Sequence, residues 1–587
     1  MRRLDYHGFG LRKRFLIQPL FYLTRCRLVQ VSPVLCMYIS HFVLPLVYSH
    51  FRISPQLFRL ILFQTHIVWY KLFYGILPKQ EPRHTHTLSL DYIKLPGNNH
   101  KFDTHPDCSS GGRSAAGALG GRCLSTRQKM DFQFNQIQVN SILQAHEQAV
   151  SIPGFDGRSL SAVRKFESNQ FAANTPNEDR HSAATCLQTK GTLFGVFDGH
   201  GGWACAQAVS ERLLSYIAIA MMSLQSLEEL EWLMEQGRPV PAVLQWYKHR
   251  GDVSYQKSAS FYRDQLRVFW QELLDHGEHS DGMSPAEAMD YAFKRLDTDI
   301  SLEAQVPLSS DLLKSTAIQV AFTGCTACVA HVDLEGIHVA NTGDCRAVLG
   351  VQEEDGSWSA LPLSRDHNSQ NQSELQRIRA RHPPSERDTV VSEDRLLGVL
   401  MPLRAFGDVS FKWSRELQSS VLQSLESGVD LDSLNMYHYT PPNYLTPPYL
   451  DAAPEILYHK LRPQDRFLIL GSDGLWDEIG SEQAVQLVGE HLSGIHLQAP
   501  VSDKHLNLGQ MQEILQRRSV RATRPSDLNA ATHLIRHALG TNDGGELCPE
   551  RLAAMLALPE ELARMYRDDI TTTVVYLNSD LAKPQNS

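Results

Sequence analysis

Near residue 132 the spacing of apolar and polar positions takes on the rhythm of a folded domain. Beyond it five short apolar runs stand out, at 192–197, 327–332, 336–340, 466–470 and 570–577. Each is rich in Val, Ile, Phe or Thr and is bounded by Gly, Asp or Asn, which predicts buried strands. Between them the apolar spacing turns helical. Ser284-Pro285-Ala286-Glu287 has the layout of a capping box with Pro at the first helical position, opening a helix through Ala292 and Leu296. Ser526 or Asp527 is expected to cap another, with Leu528, Ala531, Ile535 and Ala538 on one face and Gly540 at its end. A third covers 261–274 and carries Phe269 and Trp270. There is no internal repeat and no heptad run. Strands and helices do not alternate as in a parallel βαβ sheet, so the pattern predicts an α+β fold.

The first 130 residues read differently. They hold 18 basic against 5 acidic residues, a balance of +13, while the remainder carries −22. Positions 28–51 contain no charge and 60–70 are apolar, yet Pro33 and Pro45 break the first run and the second is too short for a span. The stretch 109–130, SSGGRSAAGALGGRCLSTRQKM, is rich in Arg, Ser and Ala and free of acidic residues. It has the character of the end of a mitochondrial transit peptide, with a cut expected after Leu124, or else of a plain flexible linker. The expected organisation is therefore a targeting or irregular region over 1–130 and one catalytic domain over 131–580.

The chain of 587 residues has a net charge of −9, which argues against a nucleic-acid binder that works by neutralising phosphates. Its ten cysteines are spread too thinly for a disulfide scaffold. Cys325 and Cys328 form a CxxC, but on a strand the two thiols face opposite ways, so packing is expected rather than zinc or redox chemistry. No phosphate-binding loop of the GxxxxGK[ST] type occurs.

Three apolar runs lead straight into an acidic turn. They are Phe197-Asp198-Gly199-His200, Thr342-Gly343-Asp344 and Gly471-Ser472-Asp473-Gly474, the last followed by Asp477. Arg567-Asp568-Asp569 stands just before a fourth run, and Glu178-Asp179 adds an acidic pair upstream. Carboxylates at strand ends sit on rigid backbone, and an adjacent Gly lets a carbonyl approach a ligand. Brought together they would repel unless cations lay between them, and hard oxygen donors without a Cys/His cage suit Mg²⁺ or Mn²⁺. A pair of such ions is a known device for phosphoryl hydrolysis.

FGVFDGHGG, VANTGDCRAVLG, RAFGD at 404–408, SDGLWD at 472–477 and RDDITTTVVY resemble, in order, the motifs of the metal-dependent type 2C (PPM) Ser/Thr protein phosphatases. FESNQFAANTPNEDR, CAQAVSERL, LRPQDRFLIL and LPEELARMYRDDIT resemble more closely the branch of that family acting on phosphorylated pyruvate dehydrogenase, and FESNQ, GHGG and Asp477 its second isoform. The resemblance implies a four-layer α-β-β-α sandwich of two antiparallel sheets flanked by helices. It implies two divalent ions bridged by Asp198, whose shared hydroxide would attack the phosphorus of phosphoserine in line. Asp473 and Asp568 would bind one ion; Glu178 or Asp179, with the Gly199 carbonyl, the other. Asp344 and Asp477 match a third, weaker site, and His200 would protonate the leaving Ser oxygen. It further implies the mitochondrial matrix, docking on a lipoyl-bearing acyltransferase core, and a regulatory subunit.

One position departs from the family pattern. Where most members carry a phosphate-gripping Arg, four residues before the Glu of the acidic pair, this chain has Asn174, which lacks both the charge and the fork. The pyruvate dehydrogenase branch resembles it in having Asn there. Two other readings stay open on the residues alone: an inactive scaffold of the same fold, and a membrane-anchored phosphatase with another substrate held by residues 28–70. Thr440–Tyr449 (TPPNYLTPPY) is either a rigid connection or a partner surface, and Arg517, Arg518, Arg521 and Arg524 form a basic cluster.

Overall fold

All nine residues of Gly324–Val332 and all eight of Ile570–Leu577 are buried. That explains why these strands are continuously apolar instead of alternating: each has cover on both faces. The computed structural model describes residues 134–582 apart from 156–158, 250–251, 253–257, 278, 307, 309, 426–440, 499–508, 510–526 and 543–544. The strands, in chain order, are β1 (Gln148–Ser151), β2 (Val163–Phe171), β3 (Arg180–Cys186), β4 (Thr192–His200), β5 (Leu244–Trp246), β6 (Gly324–Val332), β7 (Gly336–Thr342), β8 (Arg346–Gln352), β9 (Trp358–Pro362), β10 (Val391–Ser392), β11 (Arg395–Leu396), β12 (Phe406–Gly407), β13 (Glu455–Lys460), β14 (Asp465–Gly471) and β15 (Ile570–Leu577).

They form two main sheets. One has the order β1-β2-β15-β14-β8-β9; the other runs β13-β7-β6-β4-β3-β5, with β12 beside β6. Every pairing is antiparallel, as the lack of βαβ alternation predicts. Between the sheets lies a core of Phe166, Phe194, Val196, Cys328, Leu349, Leu468 and Val575. Phe166 and Phe194 meet edge to face at 5.3 Å, linking one sheet to the other. Truncating either ring would cost about 3–5 kcal/mol.

The outer faces are covered by helices. Leu193, Phe197, Cys325 and Val329 pack on helices Ala204–Ala220 and Pro285–Gln305. On the far side Val348, Phe467, Ile469 and Val574 meet helices Ser481–Gln498 and Ala530–Gly540. The result is the helix-sheet-sheet-helix layering that the resemblance implies. Cys325 faces the helices and Cys328 the inter-sheet core, so the CxxC is packing.

The capping box at Ser284 forms with Glu287, and the helix runs to Gln305. The expected cap at Ser526 or Asp527 is not used. Asn529 caps Ala530–Gly540, accepting from the Ala531 and Thr532 N–H groups at 2.9 and 3.1 Å, and Leu528 stays outside the helix, 63% exposed. Asp527 is engaged elsewhere, receiving both Nε and Nη2 of Arg536 at 2.7 and 2.6 Å. In the Pro-rich stretch Tyr444 and Tyr449 turn inward, and the Tyr449 hydroxyl donates to Glu386. The described part of that stretch is thus anchored by two buried tyrosines, with Leu445 between them 68% exposed; Thr440, the Arg517–Arg524 cluster and residues 1–130 lie outside the described residues. Among the described residues no helix is long and apolar enough to cross a membrane.

Candidate active site

Antiparallel order brings five chain segments to one edge of the sandwich. β4 and β7 end there with Asp198 and, just beyond, Asp344; β14 ends there before Asp473. β3 and β15 begin there, directly after Asp179 and Asp569. The registers fix the alignment, with Phe197 opposite Arg180, Gly471 opposite Thr572, and Asp198 opposite Thr326. Acidic turns up to 390 residues apart in sequence thus become neighbours.

Their mutual field is strong. Burial first, then Asp473, Asp179, Asp344 and Asp568 push the Asp198 carboxyl well above the usual carboxylate range. Burial and Asp473 do the same to Asp344, and burial and Asp569 to Asp179. Asp473 is pushed up to about 6, by burial and then by Asp568. Glu178 is pushed up to about 7, by burial and then by Asp569. Asp568 is raised by burial against the opposing charge of Arg564. Asp477 lies at the exposed rim, and its carboxyl is raised by partial desolvation and by Asp366 against the opposing charge of Arg346. Like charges at this density are costly without a counter-cation.

Hydrogen bonds anchor part of this set. Ser472 Oγ donates to Asp179 Oδ2 at 2.7 Å and accepts from the Thr571 N–H at 3.0 Å, tying the upstream acidic pair to the β14–β15 junction. Asp569 collects the N–H groups of Ala173, Asn174 and Glu178 and the Asn174 Nδ2 at 3.0 Å. Asn174, expected at the phosphate, is thus bound through one of its amide hydrogens to Asp569, just before β15. Gly199 is a close approach: a Cβ there would fall 2.5 Å from the Glu178 carbonyl oxygen and 3.0 Å from Ala206 Cβ.

His200 Nε2 lies 2.6 Å from Asp408 Oδ2. Burial alone would lower the imidazole pKa, but Asp408, followed by Asp344 and Glu178, outweighs it and holds the pKa above its ordinary value. Gly324 leaves room for this pair, since a Cβ on it would overlap both side chains. Asp408 was visible in the sequence only as the end of RAFGD, with nothing to indicate its partner. Asp569 and Ser472 were likewise present in the motifs without a role of their own.

The donors suit a hard divalent cation. They are carboxylate oxygens, and Asp473 Oδ1 is a buried acceptor with no hydrogen-bond partner. Among the described residues no three Asp, Glu, His or Cys side chains form a direct cage. A site completed by the Gly199 carbonyl and waters does not require one.

The Protein phosphatase 2C family model matches residues 246–517, which include Asp344, Asp473 and Asp477. Human pyruvate dehydrogenase (acetyl-transferring) phosphatase 2, mitochondrial, is 55% identical over 450 residues, covering 76% of this chain and 84% of the relative. Human phosphatase 1 of the same name is 54% identical over 466 residues, covering 78% and 86%. The relative of that name from Saccharomyces cerevisiae is 27% identical, covering 71% and 69%. The human pair differs by one point, so identity assigns the chain to neither isoform.

Proposed function

We infer the activity from one premise: this chain belongs to the protein phosphatase 2C family, in the branch of the mitochondrial pyruvate dehydrogenase phosphatases. It is a metal-dependent protein Ser/Thr phosphatase that removes phosphate from pyruvate dehydrogenase and so reactivates it. The observation that carries the reading is the convergence of Asp198, Asp179, Asp344, Asp473 and Asp568 on each other beside His200. A scaffold has no use for five carboxylates that repel one another in its core.

Asp198, Asp473 and Asp568, with Glu178 or Asp179 and the Gly199 carbonyl, are the residues that would hold two Mg²⁺ or Mn²⁺ ions, and Asp344 with Asp477 a third, weaker one. Bound there, such ions supply Lewis acidity toward water and the phosphoryl oxygens. The protein's own part is positioning and proton transfer. Rigid strand ends hold the carboxylates, and Ser472 and Asp569 fix the loop that carries Glu178 and Asp179. Asp408 binds His200 Nε2 and favours the imidazolium, leaving Nδ1 to hand a proton to the departing serine oxygen.

The location follows the relatives, which are named mitochondrial; the matrix is our reading, supported by the basic, acid-free stretch 109–130, in which Arg122-Cys123-Leu124-Ser125 would suit a cut after Leu124. Residues 131–580 form the catalytic domain. Docking on the lipoyl-bearing acyltransferase core and on a regulatory subunit would raise the effective substrate concentration. Release of phosphate from phosphorylated pyruvate dehydrogenase, dependent on Mg²⁺ or Mn²⁺ and abolished by chelator, tests the assignment.

A further inference from the structure

The cluster is rich in negative charge and its substrate is a phosphate dianion, so a protein cation beside the metal site would favour the incoming group. The Arg side chains around this edge differ in how far they are committed. Arg346 donates to both oxygens of Asp366, at 3.1 and 2.7 Å, and lies over the Trp476 ring. Arg180 donates to Gln207 and to the carbonyls of Asn177 and Asp179. Arg567 donates to the Ala172 carbonyl at 2.6 Å and lies over Phe171.

Arg564 is placed otherwise. Its Nη1 meets Asp568 Oδ2 at 2.7 Å, and 55% of the side chain is exposed. Its charge also bears on Glu178 and Asp473, so the ion pair with Asp568 puts the guanidinium within the field of the carboxylate cluster. The backbone that carries it is firm. Arg564 closes the short helix Glu560–Ala563, and the following turn is pinned by Met565 N–H to Leu562 O, Tyr566 N–H to Ala563 O and the Arg567 contact. Met565 and Tyr566 are open to solvent beside it, 77% and 59% exposed, so no described residue covers that approach.

We propose that Arg564 is the side chain that grips the substrate phosphate in this active site, the task left open by Asn174. The reading rests on the phosphatase function above. An ion pair whose cation is half in solvent, as Arg564 is, is only moderately held. With a cation held by Asp568 the partner's charge would be offset, and the planar guanidinium fork would match two phosphoryl oxygens.

The test uses the full chain and its Arg564→Ala and Arg564→Lys variants, with Met565→Ala as a control on the same turn. Equilibrium binding of inorganic phosphate to the Mn²⁺-loaded protein is read by calorimetry, without turnover, beside Mn²⁺ affinity and the KM and kcat for phosphoprotein. Arg564→Ala is expected to weaken phosphate binding and raise KM by about ten- to hundredfold, with kcat changed less than about threefold and Mn²⁺ affinity equal or tighter. Arg564→Lys falls between, because it keeps the charge and loses the fork. Unchanged phosphate affinity overturns the proposal. So does a matching loss of Mn²⁺ affinity, which would mean that Arg564 acts by positioning Asp568. Phosphate binding that depends on Arg564 in a protein that hydrolyses no phosphoprotein would leave this assignment standing and remove the phosphatase reading instead.

Discussion

His200 and Asp408 meet at 2.6 Å although 208 residues separate them in the chain. The strand end that carries His200 is two residues past Asp198, so the same turn presents a carboxylate to the cation site and an imidazole to the leaving group. Asp408 holds that imidazole in place and raises its pKa against the effect of burial. General acid catalysis needs this arrangement: the ring has to be protonated near neutral pH and oriented at the same time.

The acid is expected to reveal itself by leaving group. Replacing His200 with Gln should lower kcat on phosphoserine substrate by about 10²–10⁴-fold and affect p-nitrophenyl phosphate far less, because nitrophenolate departs without a proton. Equal losses on both substrates would contradict the role.

Asp408→Asn keeps the shape and removes the charge. The rate falls as pH rises through the His200 pKa, since the working form is protonated, and Asp408 holds that pKa up. The alkaline limb of kcat should therefore move to lower pH in the variant, with a loss of about tenfold or more at pH 8. A limb that stays in place would show that Asp408 does not set the pKa.

Much of this was legible in sequence. The strands at 192–197, 327–332, 336–340, 466–470 and 570–577 all form, because continuous apolar runs between Gly and Asp demand cover on two faces. The acidic turns stood out for the same reason, each being a polar break at the end of such a run. What pattern could not supply was contact between distant segments. Asp408 looked like the tail of a short motif, and Asp569 like a duplicate of Asp568, until the fold set one on His200 and the other on Ala173, Asn174 and Glu178. The misjudged cap has a local cause: Arg536 claims Asp527, and Asn529 is left to close the helix.

Carboxylate crowding makes a stability prediction. In chelator above pH 7, Asp473→Asn should stabilise the protein by about 2–3 kcal/mol, given a carboxyl pushed up to about 6. Mn²⁺ at a hundredfold over its Kd should add about 2.7 kcal/mol to the wild type and little to the variant. Calorimetric unfolding with and without metal reads both, and a chelated variant less stable than the chelated wild type would contradict the account.

The same groups set the pH dependence. Glu178 is pushed up to about 7 and Asp473 to about 6. For a carboxyl raised in this way the folded state favours the neutral form. The associated stability of the chelated protein is present below the unfolded value near 4, and it is lost as pH rises through 6 to 7. Protons and metal compete for the same oxygens, so Mn²⁺ affinity should rise about tenfold or more between pH 6 and pH 8. Titrations at pH 6, 7 and 8 check it, and a flat profile would place the binding carboxylates elsewhere.

Gly199→Ala would drive a Cβ to 2.5 Å from the Glu178 carbonyl. The strand end and the acidic loop must then part, and a loss of about 1–3 kcal/mol in stability with weaker Mn²⁺ binding is expected. Thermal unfolding and metal titration on one preparation measure the two effects, and a variant unchanged in both would show that the close approach is not needed.

The measurement that bears most directly on the whole account is phosphate release from phosphorylated pyruvate dehydrogenase, comparing wild type with Asp198→Asn in Mn²⁺ and in chelator. The account predicts release by the wild type in metal, none in chelator, and a loss of at least about 10³-fold in the variant. Release that persists in chelator, or an Asp198→Asn protein as active as the wild type, would contradict it.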